Sequence, residues 1–149
     1  MHFVTGGAFN GKRKWVKKLY QVHEACCWIS AYENHPFPAS INDRDRDFLV
    51  LEGIELWLKQ ILQTEDVNNC RDFFRNRIHH WLEWEMEKPS RKLVIIGTDI
   101  SKGIVPLEKE NRLWRDITGW VYQDLAAKAE RVDVIWYGIN QIMKGQTLQ

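Results

Sequence analysis

Little in this chain points outside a reducing cell interior. Only three of its 149 residues are cysteine, Cys26, Cys27 and Cys70. An odd set with an adjacent pair makes a poor disulfide framework, so a cytoplasmic location is expected, and no C-x-x-C spacing supports a metal site. Nowhere do about 18 apolar residues run together, and the first residues lack a charged stretch leading into an apolar one. Neither a membrane span nor a signal peptide is therefore expected. Charge of one sign is missing too. The 21 Lys and Arg against 20 Asp and Glu leave a formal charge of +1, which offers no field to attract nucleic acid or a membrane surface. The chain also lacks internal repeats and low-complexity segments. What remains is the composition of a globular domain, 44% hydrophobic and 28% charged, with eight tryptophans suited to core and interface packing. One domain over residues 1–149 is expected.

The apolar pattern alternates between short runs and helical stripes. Residues 2 to 5, Asp47 to Glu52, Lys92 to Gly97 and Val132 to Tyr137 read as strands buried on both faces, and Ala25 to Ser30 as a further one. Trp15, Val16, Leu19 and Val22 recur at helical spacing. So do Ile54, Trp57, Leu58, Ile61 and Leu62, and then Cys70, Phe73, Phe74, Arg77, Trp81 and Leu82 after an Asp66 N-cap, closing near Lys88-Pro89. A last stripe is Leu113, Trp114, Ile117, Val121 and Leu125. Loops are expected over Tyr32 to Arg46 and Thr98 to about Lys109, and a frayed end from Gln146. Strands alternating with helices predict an α/β fold with a mainly parallel central sheet flanked by helices, and a ligand at the carboxyl ends of its strands.

The first strand runs into Gly6-Gly7-Ala8-Phe9-Asn10-Gly11-Lys12-Arg13, which meets the pattern G-x-x-x-x-G-K-[ST] of a phosphate-binding loop except at its last position. Glycines let the backbone turn successive N–H groups toward phosphate oxygens, the lysine adds a point charge, and the following helix presents its positive end. These eight residues are candidates for binding a nucleotide, ATP or GTP. A closing Ser or Thr would ligate magnesium, and Arg13 cannot. Glu52, at the end of a neighbouring strand, stands where such enzymes keep a carboxylate for magnesium or for the attacking group. Its alternative is a solvated carboxylate favoured by a helix N-terminus.

The segment after the third clear strand is the most specific. Lys102-Gly103, Ile104-Val105-Pro106, Glu110-Asn111-Arg112-Leu113, Arg115-Asp116, Gly119 and Gln123-Asp124-Leu125-Ala126 resemble the adenosylcobinamide kinase/adenosylcobinamide-phosphate guanylyltransferase family of cobalamin biosynthesis. The glycine loop and the apolar strand ending in Glu52 add to the resemblance, which covers about two thirds of the chain. It implies a RecA-like phosphate-loop fold, often trimeric, that phosphorylates adenosylcobinamide and then transfers GMP from GTP through a histidine. Carried onto this chain, it makes Lys12, Glu52 and Asp99 catalytic. It also places Asn111, Arg112, Arg115 and Asp116 at the substrate or at a subunit contact. An exposed helix face with an Arg112–Asp116 pair is the alternative for those four.

Three departures from the family pattern bear on activity. Arg13 replaces the metal-binding hydroxyl, Phe9-Asn10 replaces a more polar pair, and the stretch before Glu52, which would carry the histidine in an R-I-x-x-H-R setting, is short. It holds only His23 and His35, neither in that context. Arg77-Ile78-His79-His80 echoes the motif but lies on a helix after Glu52, and is read as a surface pair. Lys12, Arg13, Lys14, Lys17 and Lys18 beside Trp15 could grip a nucleic-acid backbone, but Trp15 faces inward and no nucleic-acid partner is expected. The expected function is an adenosylcobinamide kinase that has lost guanylyl transfer. The alternative is a degenerate module that binds nucleotide or a protein partner without turnover.

Overall fold

The computed structural model describes residues 1–23, 26–42 and 45–146. The chain order is β1 (His2–Thr5), α1 (Lys12–Leu19), β2 (Cys27–Ser30), a 3₁₀ turn (Ala31–Glu33), β3 (Phe48–Glu52), α2 (Ile54–Ile61), α3 (Val67–Met86), β4 (Lys92–Ile96), α4 (Lys109–Lys128), β5 (Arg131–Trp136) and β6 (Ile139–Lys144). They form one six-stranded sheet in the order β2-β3-β4-β1-β5-β6. Every pairing is parallel except β5 with β6. This is the α/β phosphate-loop architecture expected, with β4 inserted between β1 and β3.

Alternation along the buried strands divides the core. Phe3, Leu49, Leu51, Leu93 and Ile95 point toward α2, α3 and α4, where Trp57, Trp81 and Trp84 are all but inaccessible. Val4, Val50, Val94, Ile96 and Ile135 point the other way, toward Val16 of α1. Each fully buried side chain of this kind contributes about 1.5–3 kcal/mol. The three-helix face, with the larger cluster, therefore holds most of the apolar stabilisation, and the eight-residue α1 is a light cover. Asp66 caps α3 as expected, its carboxylate accepting the Asn69 N–H at 2.8 Å.

Element boundaries shift at several places, and one strand lies outside expectation. Helix α1 stops at Leu19, short of Val22, because Gln21 turns to a positive φ of 49°. Tyr137 lies beyond β5 in a two-residue turn with Gly138, both at positive φ, as a tight hairpin requires. That turn leads into β6, a sheet edge that the sequence pattern does not announce. Of the segments expected above, Ala25 in the second strand, residues 43–44 in the long loop and residues 147–149 at the end lie outside the described residues.

Candidate functional site

The parallel register sets the site. Glu52 pairs with Ile96, and Ile96 with Val4, so the ends of β3, β4 and β1 form one row. Glu52 is the last residue of β3 in that row, and beyond it lie the Thr98-Asp99 segment and the glycine loop. Glu52 is two residues from Val50 and projects on the α1 side of the sheet.

The loop is shaped by its backbone. Gly6 has a φ of 139°, Gly11 one of 89°, and a Cβ on Gly6 would stand 2.3 Å from the Ile135 carbonyl oxygen. Only glycine fits there. Phe9 also takes a positive φ, and its side chain is fully exposed at the loop tip. Asn10 ties the loop to the β5–β6 turn: its carbonyl accepts the Gly138 N–H at 2.8 Å and its Oδ1 the Tyr137 N–H at 2.9 Å. Asp99 N–H closes the far side on the Gly6 carbonyl at 2.9 Å.

Two helices begin at this edge, each after a left-handed glycine, and they differ in charge. α2 follows Gly53 and carries Glu55 in its first turn, which answers its own positive end. α1 follows Gly11 with neither an acidic residue in the first turn nor a side-chain cap. Its free N–H groups and positive end are an anion site. A cleft of about 810 Å³ opens there, lined in part by Gly11, Lys12, Arg13, Tyr32, Glu52 and Thr98.

Lys12 is buried, and its Nζ donates to the carbonyls of Gly7 at 2.8 Å and Gly6 at 3.2 Å. Burial pulls its pKa below the ordinary lysine range, opposed by the carboxylates of Glu55, Glu52 and Asp99. Three acidic groups, two from the end of β3 and the start of α2 and one from the segment after β4, thus act on one ammonium.

Glu55 is the residue that the sequence pattern conceals. It is 2% exposed, and its carboxylate accepts from the Tyr32 hydroxyl, from the Thr98 N–H at 3.1 Å and from the Tyr122 hydroxyl at 3.2 Å. Burial first, and the Glu55 charge second, push both phenols up, so both remain protonated donors. A signal existed: Glu55 lies three residues before Leu58 and seven before Leu62, squarely on the apolar stripe of α2.

Glu52 and Asp99 are already engaged. Glu52 Oε2 accepts Trp28 Nε1 at 2.9 Å and faces Arg13 Nε at 3.5 Å. Asp99 Oδ1 accepts the Ser101 N–H at 2.8 Å and the Ser101 hydroxyl at 2.5 Å. A magnesium ion held by such a loop takes a hydroxyl from its last residue and a carboxylate from the neighbouring strand. Here Arg13 stands in the hydroxyl's place and its guanidinium meets the carboxylate. The residues present do not fit a protein-held magnesium ion.

The four α4 residues do not converge on this cleft. Arg112 donates to the carbonyls of Pro106 and Leu107, and Arg115 to those of Ser101 and Ile104. Both brace the segment before α4, so Arg112 turns away from the i,i+4 pairing with Asp116. Asn111 bonds Glu108 and lines a second cavity of about 690 Å³ beside Trp114, while Asp116 is exposed. The histidines lie apart too: His79 pairs with Glu83 at 3.2 Å on the outer face of α3, beside His80.

Comparison with known proteins agrees with this architecture. The model of a family described as cobinamide kinase / cobinamide phosphate guanyltransferase matches residues 26–143. That interval leaves out β1, the glycine loop and α1. The bifunctional adenosylcobalamin biosynthesis protein CobP of Pseudomonas aeruginosa is 30% identical over 100 residues, which are 67% of this chain and 55% of that protein. The chain thus spans about half the length of this curated relative.

Proposed function

The chain belongs to the cobinamide kinase / cobinamide phosphate guanyltransferase family, and from that premise we propose that it is a nucleotide-dependent kinase acting on adenosylcobinamide, without the guanylyl-transfer step. The observation that carries the reading is the cleft at the uncapped start of α1, with Lys12 in its wall and Glu52 at its edge. The α- to γ-phosphates of ATP or GTP lie against the loop N–H groups. Lys12 exchanges its loop carbonyls for phosphate oxygens, a better partner for an ammonium. Glu52 orients the acceptor hydroxyl and takes its proton as the hydroxyl oxygen bonds to the γ-phosphorus. The bond to the bridging oxygen breaks, and the nucleoside diphosphate leaves with the electron pair. Glu55 touches neither partner; it holds Tyr32 and Thr98 at the cleft wall.

Guanylyl transfer needs an imidazole nitrogen free to attack the α-phosphorus. His35, the histidine nearest the cleft in sequence, accepts the Ser30 N–H on Nδ1 at 3.0 Å. That bond occupies one lone pair and places the proton on the other nitrogen. His2 is fully buried between Tyr20 and Asp133. These contacts support a reading in which only the first half of the family's chemistry is kept.

One observation favours a second reading, a module that binds nucleotide without turning it over: the Arg13–Glu52 pair neutralises the carboxylate that catalysis would use. Incubation with adenosylcobinamide and ATP or GTP separates the two. Phosphorylated product supports the kinase, and binding without product supports the module. No binding of either nucleotide would remove both. A homotrimer in the cytoplasm completes the proposal. Subunit contacts would cover the exposed Ile104, Val105 and Leu107, and Cys26 and Cys70 are free thiols. Among the described residues no helix is long and apolar enough to cross a membrane.

A further inference from the structure

The loop's last residue brings a charge where phosphate loops bring a hydroxyl, and the structure shows where that charge goes. Arg13 Nη2 donates to Glu33 Oε1 at 2.5 Å, Arg13 Nε stands 3.5 Å from Glu52 Oε2, and the guanidinium carbon lies 5.1 Å from the centroid of the Trp28 ring. Glu52 is 4% exposed. A carboxylate so buried needs a counter-charge, which in a metal-dependent loop a divalent cation supplies. Here a covalently attached cation does so on the same wall of the cleft that Lys12 lines.

The fork also has capacity left. Of its five N–H donors, one is hydrogen-bonded, to the exposed Glu33, and Nε is buried without a hydrogen-bond partner among the described residues. A guanidinium with unengaged donors beside a helix N-terminus is matched to phosphate oxygens, which it takes two at a time.

We propose that Arg13 is a tethered cation that takes over the charge-neutralising part of a metal's role, so that the cleft binds a nucleoside triphosphate without a metal ion held by the protein. The proposal rests on the nucleotide-binding reading above and adds how the site balances its charge. Glu33 acts as a latch: it holds the guanidinium until phosphate arrives and then gives it up.

The test is calorimetric titration of GTP, and separately of ATP, into the full chain with magnesium and with EDTA in its place. The parent's dissociation constant is expected to change by less than about threefold between the two buffers. Arg13→Ser restores the hydroxyl and removes the cation. Its affinity in EDTA should fall about tenfold or more and return with magnesium. Arg13→Lys keeps the charge without the fork and should bind in EDTA between the other two. Parent binding that needs magnesium overturns this proposal and leaves the kinase reading standing, as does an Arg13→Ser protein that binds in EDTA as tightly as the parent. No binding of either nucleotide in either buffer overturns both. The parent's two titrations decide the matter even if Arg13→Ser fails to fold.

Discussion

Glu55 Oε2 accepts the backbone N–H of Thr98 at 3.1 Å, fastening the first turn of α2 to the segment that leaves β4. The same carboxylate gathers Tyr32 from the turn after β2 and Tyr122 from α4. The Tyr122 hydroxyl also lies 2.8 Å from the Thr98 carbonyl, and a Cβ on Gly97 would stand 2.2 Å from that hydroxyl. One buried side chain thus joins four segments beside the loop lysine.

Replacing Glu55 with Ala leaves the Thr98 N–H without its acceptor and removes the carboxylate that both phenols share, although Tyr122 keeps the Thr98 carbonyl and Tyr32 the Thr98 hydroxyl. The expected cost is about 3 kcal/mol, or about 10 °C in Tm for a chain of this size. Glu55→Gln keeps an acceptor, loses the charge and should fall between. Thermal unfolding of the three proteins checks this, and an unchanged Tm for Glu55→Ala would show that the carboxylate is not the shared acceptor.

Asn10→Ala removes the acceptor for the Tyr137 N–H and the donor to Ala8, leaving the loop held to the β5–β6 turn by its backbone alone. A stability loss of about 1 kcal/mol is expected. The looser loop must be ordered when phosphate arrives, so nucleotide affinity should weaken by about threefold or more. Asn10→Asp retains the acceptor and should recover most of the binding. Equal affinity for parent and Asn10→Ala would mean that the turn does not help to shape the loop.

The pH dependence of folding should carry the mark of His2. Its Nε2 donates to Asp133 Oδ2 at 2.8 Å and its Nδ1 accepts from the Tyr20 hydroxyl at 2.7 Å. Burial outweighs the attraction of Asp133 and lowers the imidazole pKa from 6.5 to about 4. Between those values the unfolded chain holds a proton that the folded chain does not. Stability is therefore full above pH 6.5 and falls toward pH 4, by about 3 kcal/mol from this group. Asp133, which burial raises but hydrogen bonds from Arg131 and Asn140 lower by more, adds a loss at still lower pH. Urea unfolding across this range should show the slope, and His2→Gln should flatten it. A parent stability constant from pH 7 to pH 4.5 would contradict a neutral buried imidazole.

These partners explain what a linear reading reaches and what it misses. β1, β3, β4 and most of β5 are legible because a central parallel strand is covered on both faces and must be apolar almost throughout, as Leu93 to Ile96 are. β6 pairs on one side only and is largely exposed, so Ile139, Ile142 and Met143 have no periodicity to impose. The glycine loop is legible because its φ angles admit few residues. Glu55 is legible only as a polar residue on the α2 stripe, because Tyr32 and Tyr122, which make its burial tolerable, are 23 and 67 residues away. The same holds for Arg13: its sequence position denies a metal ligand, but only the fold shows it against Glu52 and Trp28.

Whether any histidine can carry a guanylyl group turns on the hydrogen bond at His35. A nucleophilic imidazole donates from one nitrogen to a fixed acceptor, which leaves the other nitrogen bare and aimed at phosphorus. His35 is the reverse: its Nδ1 accepts the Ser30 N–H, so the neutral ring carries its proton on Nε2 and offers neither nitrogen for attack. Its carbonyl is also held, by Trp57 Nε1 at 3.0 Å, which anchors the backbone from which the ring projects. Incubation with GTP labelled in the α-phosphate, followed by alkaline denaturation that preserves phosphoramidates, should leave no label on the protein, while label in the γ-phosphate should reach adenosylcobinamide. A guanylylated histidine at any of the five positions would restore the second half of the family's chemistry to this chain. An adduct at His35 would require the Ser30 contact to open, and Ser30→Pro, which removes that N–H, should then raise its yield.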